Sequence, residues 1–130
     1  MTITSFNPII LTSKADAATA VFEALGFEWR HMKTDIDDRT EASIRMKDAN
    51  GFHVDIVQID VLPQDMTAIR MNVRDFDEAF ELLTARGFHI VQGGKVTDTE
   101  SSRAVMLVSP SGFAINLVKH IRKEEDAAPN

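Results

Sequence analysis

His53 and Asp55 stand two residues apart in the run F-H-V-D-I-V-Q, and that spacing is the first place this chain could do chemistry. In a strand, residues i and i+2 share a face. An imidazole beside a carboxylate can act as a general base oriented by the acid. More often such a pair is a satisfied structural hydrogen bond. Arg45 and Arg70 take the matching parity in neighbouring strand candidates, because Ile44, Met46 and Met71 take the opposite one. Two guanidiniums on one face would suit a carboxylate or phosphate ligand. Alternatively, Arg70 pairs internally with Asp55 and its charge is spent within the protein. Asn7 and Asn116 add neutral polar groups on that parity. Trp29, the single tryptophan, is either an aromatic wall for a ligand or packing after the Gly26-Phe27 turn.

Other chemistries lack their residues. Without cysteine there is no disulfide, thiolate zinc site or cysteine nucleophile. No G-x-S-x-G elbow supports a hydrolase triad, and Gly93-Gly94 lacks the Lys-Ser/Thr of a phosphate loop. His31 and His89 fall in second-strand positions and read as rim residues, while His120 closes the last strand. No residue is assigned a catalytic role.

The elements that must position these groups come in two copies. Gly26-Phe27 and Gly51-Phe52 recur as Gly87-Phe88 and Gly112-Phe113, a shift of 61 residues (87 − 26 and 112 − 51) without an insertion. Asp16, Ala18, Ala24, Asp37 and Val57 meet Asp77, Ala79, Ala85, Asp98 and Val118 under the same shift. Such a period marks one supersecondary module used twice. Each copy reads strand, helix, then three strands. In the first, the strands are Pro8–Thr12, Glu28–Lys33, Ala42–Met46 and Phe52–Ile59. Ser13 with Asp16 is the expected helix cap, and Ala15, Ala18, Val21, Phe22 and Leu25 form the buried stripe. In the second, the strands are Ile69–Val73, His89–Gln92, Arg103–Val108 and Phe113–Lys119. Asp75 with Glu78 makes a capping box, followed by the stripe Phe76, Ala79, Phe80 and Leu83.

Alternation in the strands separates two faces. Phe52, Val54 and Ile56, with Phe113, Ile115 and Leu117, form an apolar face for the helices. The opposite parity mixes Ile9, Leu11, Val57, Met106 and Val118 with Asn7, His53, Asp55, Arg70 and Asn116. Apolar area with a few placed polar groups is the composition of a ligand cleft.

At 130 residues, 44% hydrophobic and 26% charged, the chain has the length and composition of one soluble domain. A net charge of −6 opposes nucleic acid as a partner. No membrane-length apolar run and no signal pattern occur, which with the missing cysteine points to the cytoplasm and no membrane partner.

The paired modules, F-E-A-L-G-F (Phe22 to Phe27) and S-P-S-G-F-A-I-N-L (Ser109 to Leu117) resemble the vicinal oxygen chelate superfamily of glyoxalases, bleomycin resistance proteins and extradiol dioxygenases. The resemblance implies an α+β fold, two βαβββ modules forming a curved, mostly antiparallel eight-stranded sheet with helices on the convex face. It implies one domain over residues 1–122, with modules at about 7–60 and 66–121 and a flexible tail at 123–130. It also implies a homodimer and a small organic ligand. Metal-dependent members carry ligands in the first and last strands, and those positions here are Asn7, Ala68, Asp55 and Asn116. Only Asp55 is a good ligand for a divalent cation. The expectation is therefore no metal and no cofactor, and a metal-independent small-molecule-binding protein with contacts from Asn7, Arg45, His53, Asp55, Arg70 and Asn116. The alternatives are a metal-dependent lyase, isomerase or dioxygenase with an unorthodox site, or an interaction domain with no ligand.

Overall fold

In a computed structural model, residues 1–30, 42–98 and 102–120 are described. His31, the charged stretch Asp35–Arg39 and the tail from 123 lie outside those residues. The chain forms two compact units, one of Asn7–Ala68 and one of Met1–Phe6 with Ile69–Asn130.

The first unit holds β1 (Ile3–Thr12, from Asn7 onward), α1 (Ala15–Ala24), β2 (Glu28–Arg30), β3 (Ala42–Lys47) and β4 (His53–Gln58). Its strand order is β2-β3-β4-β1. β2 and β3 pair antiparallel, as do β3 and β4, whereas β1 runs parallel to β4 from Ile9↔Asp55 onward. Pro8, which has no N–H to offer a ladder, stands just before that pairing begins. Met46, Val54 and Ile56 meet Ala15, Ala18 and Phe22 of α1, with Phe27 closing the core by an edge-on ring contact to Phe22.

The second unit holds β5 (Met66–Val73, from Ile69 onward), α2 (Phe76–Ala85), β6 (His89–Ile90), β7 (Thr97–Asp98), β8 (Ser102–Val108) and β9 (Ala114–His120). Its order is β5-β9-β8-β6, with β7 also on β8. Met71, Val73, Val105, Leu107, Ile115 and Leu117 pack on Phe76 and Ala79 of α2, joined by Phe80 and Leu83. The N-terminal residues belong to this unit too. Arg74 N donates to Thr2 O at 3.0 Å and Asn72 Nδ2 donates to Ser5 Oγ at 2.9 Å. The first strand therefore starts at Ile3, five residues before the expected Pro8, and β7 is a ninth, two-residue strand.

Three local expectations need correction. Ser13 is not the cap of α1: Lys14 holds that position with no side-chain bond, and Gln58 Oε1 accepts from Ala15 N at 2.9 Å instead. Val21 and Leu25 are exposed, while Thr19 is buried. Thr19 Oγ1 donates to Asp16 O at 3.0 Å, which satisfies the hydroxyl and removes most of the cost of burying it. Phe52 and Phe113 are also exposed, although Phe113 meets the Phe88 ring edge-on. At α2 the expectation holds, with Asp75 Oδ1 accepting from Glu78 N at 3.0 Å.

Candidate functional site

Two four-residue turns set the geometry of the polar groups. Asp48 Oδ1 accepts from Asn50 N and Phe52 N, and Asp48 N donates to Phe52 O at 2.9 Å. That closure fixes the β3–β4 register and puts Arg45 directly across from Asp55. Ser109, the repeat equivalent of Asp48 (48 + 61), closes the second turn through Oγ in the same way. There it puts Met106 across from Asn116.

Directly opposed residues share a face, so Arg45 and Asp55 meet on the side of the sheet away from α1. Arg45 Nε donates to Asp55 Oδ1 at 2.7 Å and Nη2 donates to Oδ2 at 3.0 Å, a two-pronged guanidinium–carboxylate contact. Asn7 Nδ2 donates to the same Oδ2 at 3.1 Å. The Asp55 side chain is fully buried and that of Arg45 is 32% exposed. The Arg45 pKa is raised, chiefly by the hydrogen bond to Asp55, with its charge adding and burial opposing. Its positive charge is therefore permanent at any working pH.

Sequence reasoning placed Arg45 on the right face but did not pair it with Asp55. The signal was available, because a turn closed by residues 48 and 52 makes opposed residues sum to 100, and 45 + 55 does. In the second unit, Arg70 Nε donates to Asn116 Oδ1 at 2.9 Å. Asn116 Nδ2 faces Val105 O at 3.5 Å.

Two buried atoms of the first unit have no hydrogen-bond partner among the described residues, Asn7 Oδ1 and His53 Nε2. His53 does not hydrogen-bond Asp55, so an oriented imidazole base has no support. Trp29 is exposed on β2 opposite Met46, which places it on the helix side, away from Asp55.

No family model matches the chain, and no curated protein sequence does. Solved structures do match. A glyoxalase/bleomycin resistance protein/dioxygenase superfamily member from Vibrio splendidus 12B01 aligns with a TM-score of 0.61 at 13% identity, over 92% of this chain and 100% of that one. Methylmalonyl-CoA epimerase from Mycobacterium tuberculosis gives 0.64 at 16%, over 97% and 93%. Glyoxalase I from Zea mays gives 0.67 at 13%, over 91% of this chain and 43% of that longer one. The fold is the vicinal oxygen chelate fold.

The residues at the positions where that fold implies a metal do not fit one. Asp55 has both carboxylate oxygens engaged by Arg45, and Asn7 adds a third donor. Asn116 turns its amide oxygen to Arg70, and Ala68 has no donor atom. Among the described residues, no three of His, Asp and Glu gather where they could hold a metal ion. No helix among them is long and apolar enough to cross a membrane.

Proposed function

We propose that the protein is a metal-independent small-molecule-binding protein of the glyoxalase/bleomycin resistance type. The observation that carries this reading is the pair of last-strand acceptors. Asp55 and its repeat equivalent Asn116 each accept from an arginine, Arg45 on β3 in one unit and Arg70 on β5 in the other. A cation built into the chain thus stands at both last-strand acceptors, and the two copies reach this by different strands. A guanidinium neutralises a buried carboxylate permanently, which a dissociable ion does not.

What supports ligand binding is the face around that pair in the first unit. Ile9, Leu11 and Val57 supply buried apolar packing on that face, and Asn7, Arg45, His53 and Asp55 supply placed polar groups. Arg45 and Asp55 fix the charge of the site, Asn7 and His53 offer contacts, and Arg70 with Asn116 supplies the polar groups of the second unit. A homodimer and a cytoplasmic setting belong to the same reading. Exposed Trp29 and Phe52 in one unit, and Ile3 and Phe6 in the other, are apolar surface that a second copy would cover.

A thermal-shift screen of small organic compounds with and without a chelator tests the reading. A stabilising compound whose effect survives the chelator supports it. Stabilisation that appears only with added metal would contradict it.

A further inference from the structure

We infer that the ligand presents a neutral hydrogen-bond donor, from a carboxamide or an alcohol, to Asn7 Oδ1 beside His53, and that a carboxylate is rejected there. This rests on the small-molecule reading above and names the chemistry of that site.

The orientation of the Asn7 amide decides the matter. Asn7 is 3% exposed, and its Nδ2 donates to Asp55 Oδ2 at 3.1 Å and to Pro8 O at 2.9 Å. Both partners are acceptors, so the amide nitrogen must face them. A flipped amide would set two oxygens against each other. Oδ1 is thereby held as an acceptor, buried and without a partner among the described residues. Only an N–H or O–H can satisfy it.

His53 completes the pair. On β4 it precedes Asp55 by two residues and shares its face, and its Nε2 is the other buried atom without a partner. The parallel β1–β4 pairing has a constant offset of 46 (55 − 9 and 57 − 11). Extended by one pleat, that offset sets Asn7 alongside His53 on adjacent strands, about 4.8 Å apart in the pairing direction. A carboxamide can donate its N–H to Asn7 Oδ1 and engage the imidazole nitrogen through its carbonyl. An alcohol can do either.

A carboxylate fails on two counts. At neutral pH it has no donor for Asn7 Oδ1, so oxygen would face oxygen. Within the first unit, the Arg45 guanidinium already has Nε and Nη2 on Asp55, whose charge offsets its own at that contact.

The test is NMR titration of isotope-labelled protein with benzamide, benzyl alcohol and benzoate. These share a ring and differ only in the polar group. Benzamide or benzyl alcohol is expected to move the Asn7 side-chain amide and the His53 ring signals, with affinity at least about tenfold above that of benzoate, the loss expected for one well-made hydrogen bond. His53→Phe should weaken benzamide binding, and His53→Gln, which keeps a nitrogen near the Nε2 position, should restore part of it. Benzoate moving the same signals as tightly as benzamide would overturn the donor inference and leave the small-molecule reading standing. So would shifts from all three probes confined to other residues. No response to any probe anywhere in the protein would overturn both. Should His53→Phe fail to fold, the three-probe comparison on wild type still decides.

Discussion

Replacing Arg45 with methionine removes the charge and keeps most of the stem. Asp55, fully buried, then loses two charge-assisted bonds of 2.7 and 3.0 Å and keeps the one from Asn7 at 3.1 Å. Removing one partner of a buried pair costs about 3–5 kcal/mol, because water cannot reach the charge left behind. The bond from Asn7 remains, and the Arg45 side chain was itself 32% exposed, so the lower end of about 3 kcal/mol is expected. For a chain of this size that is a fall in Tm of roughly 10 °C. The pH dependence separates this cause from lost packing. In the variant, loss of the Arg45 guanidinium should raise the Asp55 carboxyl above its wild-type value. A folded pKa raised in this way means the penalty is full above it and shrinks as pH falls through it. Denaturant unfolding of Arg45→Met at pH 7 and near pH 4 should therefore show a smaller loss in acid, relative to wild type at each pH. In wild type, the stability linked to the raised Arg45 pKa persists below the ordinary arginine range and is lost only as pH climbs through that raised value. A loss under about 1 kcal/mol at pH 7, the worth of a surface pair, would refute the buried-pair argument. So would a penalty of equal size at both pH values.

Gln58→Ala should cost about 1–2 kcal/mol by urea unfolding, since it strips the side-chain acceptor of Ala15 N at the start of α1, whereas Ser13→Ala should cost less than about 0.5. Asp75→Ala should cost about 1 kcal/mol by the same assay, as the loss of an N-cap. Gly26 and Gly87 both end helices at positive φ, 102° and 97°, but a Cβ at Gly87 would lie 2.7 Å from Pro110 Cγ and one at Gly26 would meet nothing. Gly87→Ala should therefore lower Tm more than Gly26→Ala, and equal losses would show that backbone strain alone decides. Light scattering should give twice the 14.5 kDa chain mass at micromolar concentration, and a monomer mass would contradict the dimer.

The repeat made most of the fold legible. A shift of 61 aligned both helix-ending glycines and both hairpin turns, and strand parity sorted Val54, Ile56, Ile115 and Leu117 to the helix side correctly. What failed depends on how elements meet. Gln58 reaches the α1 start across 43 residues, a contact that no local cap signature encodes. Val21 and Leu25 fit a helical stripe by type but are exposed, Val21 lying about 100° around the helix from Phe22, and Thr19 takes the buried place. At the site, parity put Asn7, Arg45, His53 and Asp55 on one face. The Arg45–Asp55 pairing needed the turn register as well, and that step was readable from Asp48 and Phe52. The direction of the Asn7 amide was not readable, because it follows from where the Asp55 carboxylate points.

The central claim is that guanidiniums stand at the acceptors where the fold's metal-dependent members place a metal. Elemental analysis of the untagged protein, purified without chelator and then incubated with zinc, nickel, manganese and iron salts, tests it most directly. The account predicts far less than one metal ion per chain after desalting, with no change in Asp55→Ala. Near one ion per chain in wild type, lost in Asp55→Ala, would contradict it.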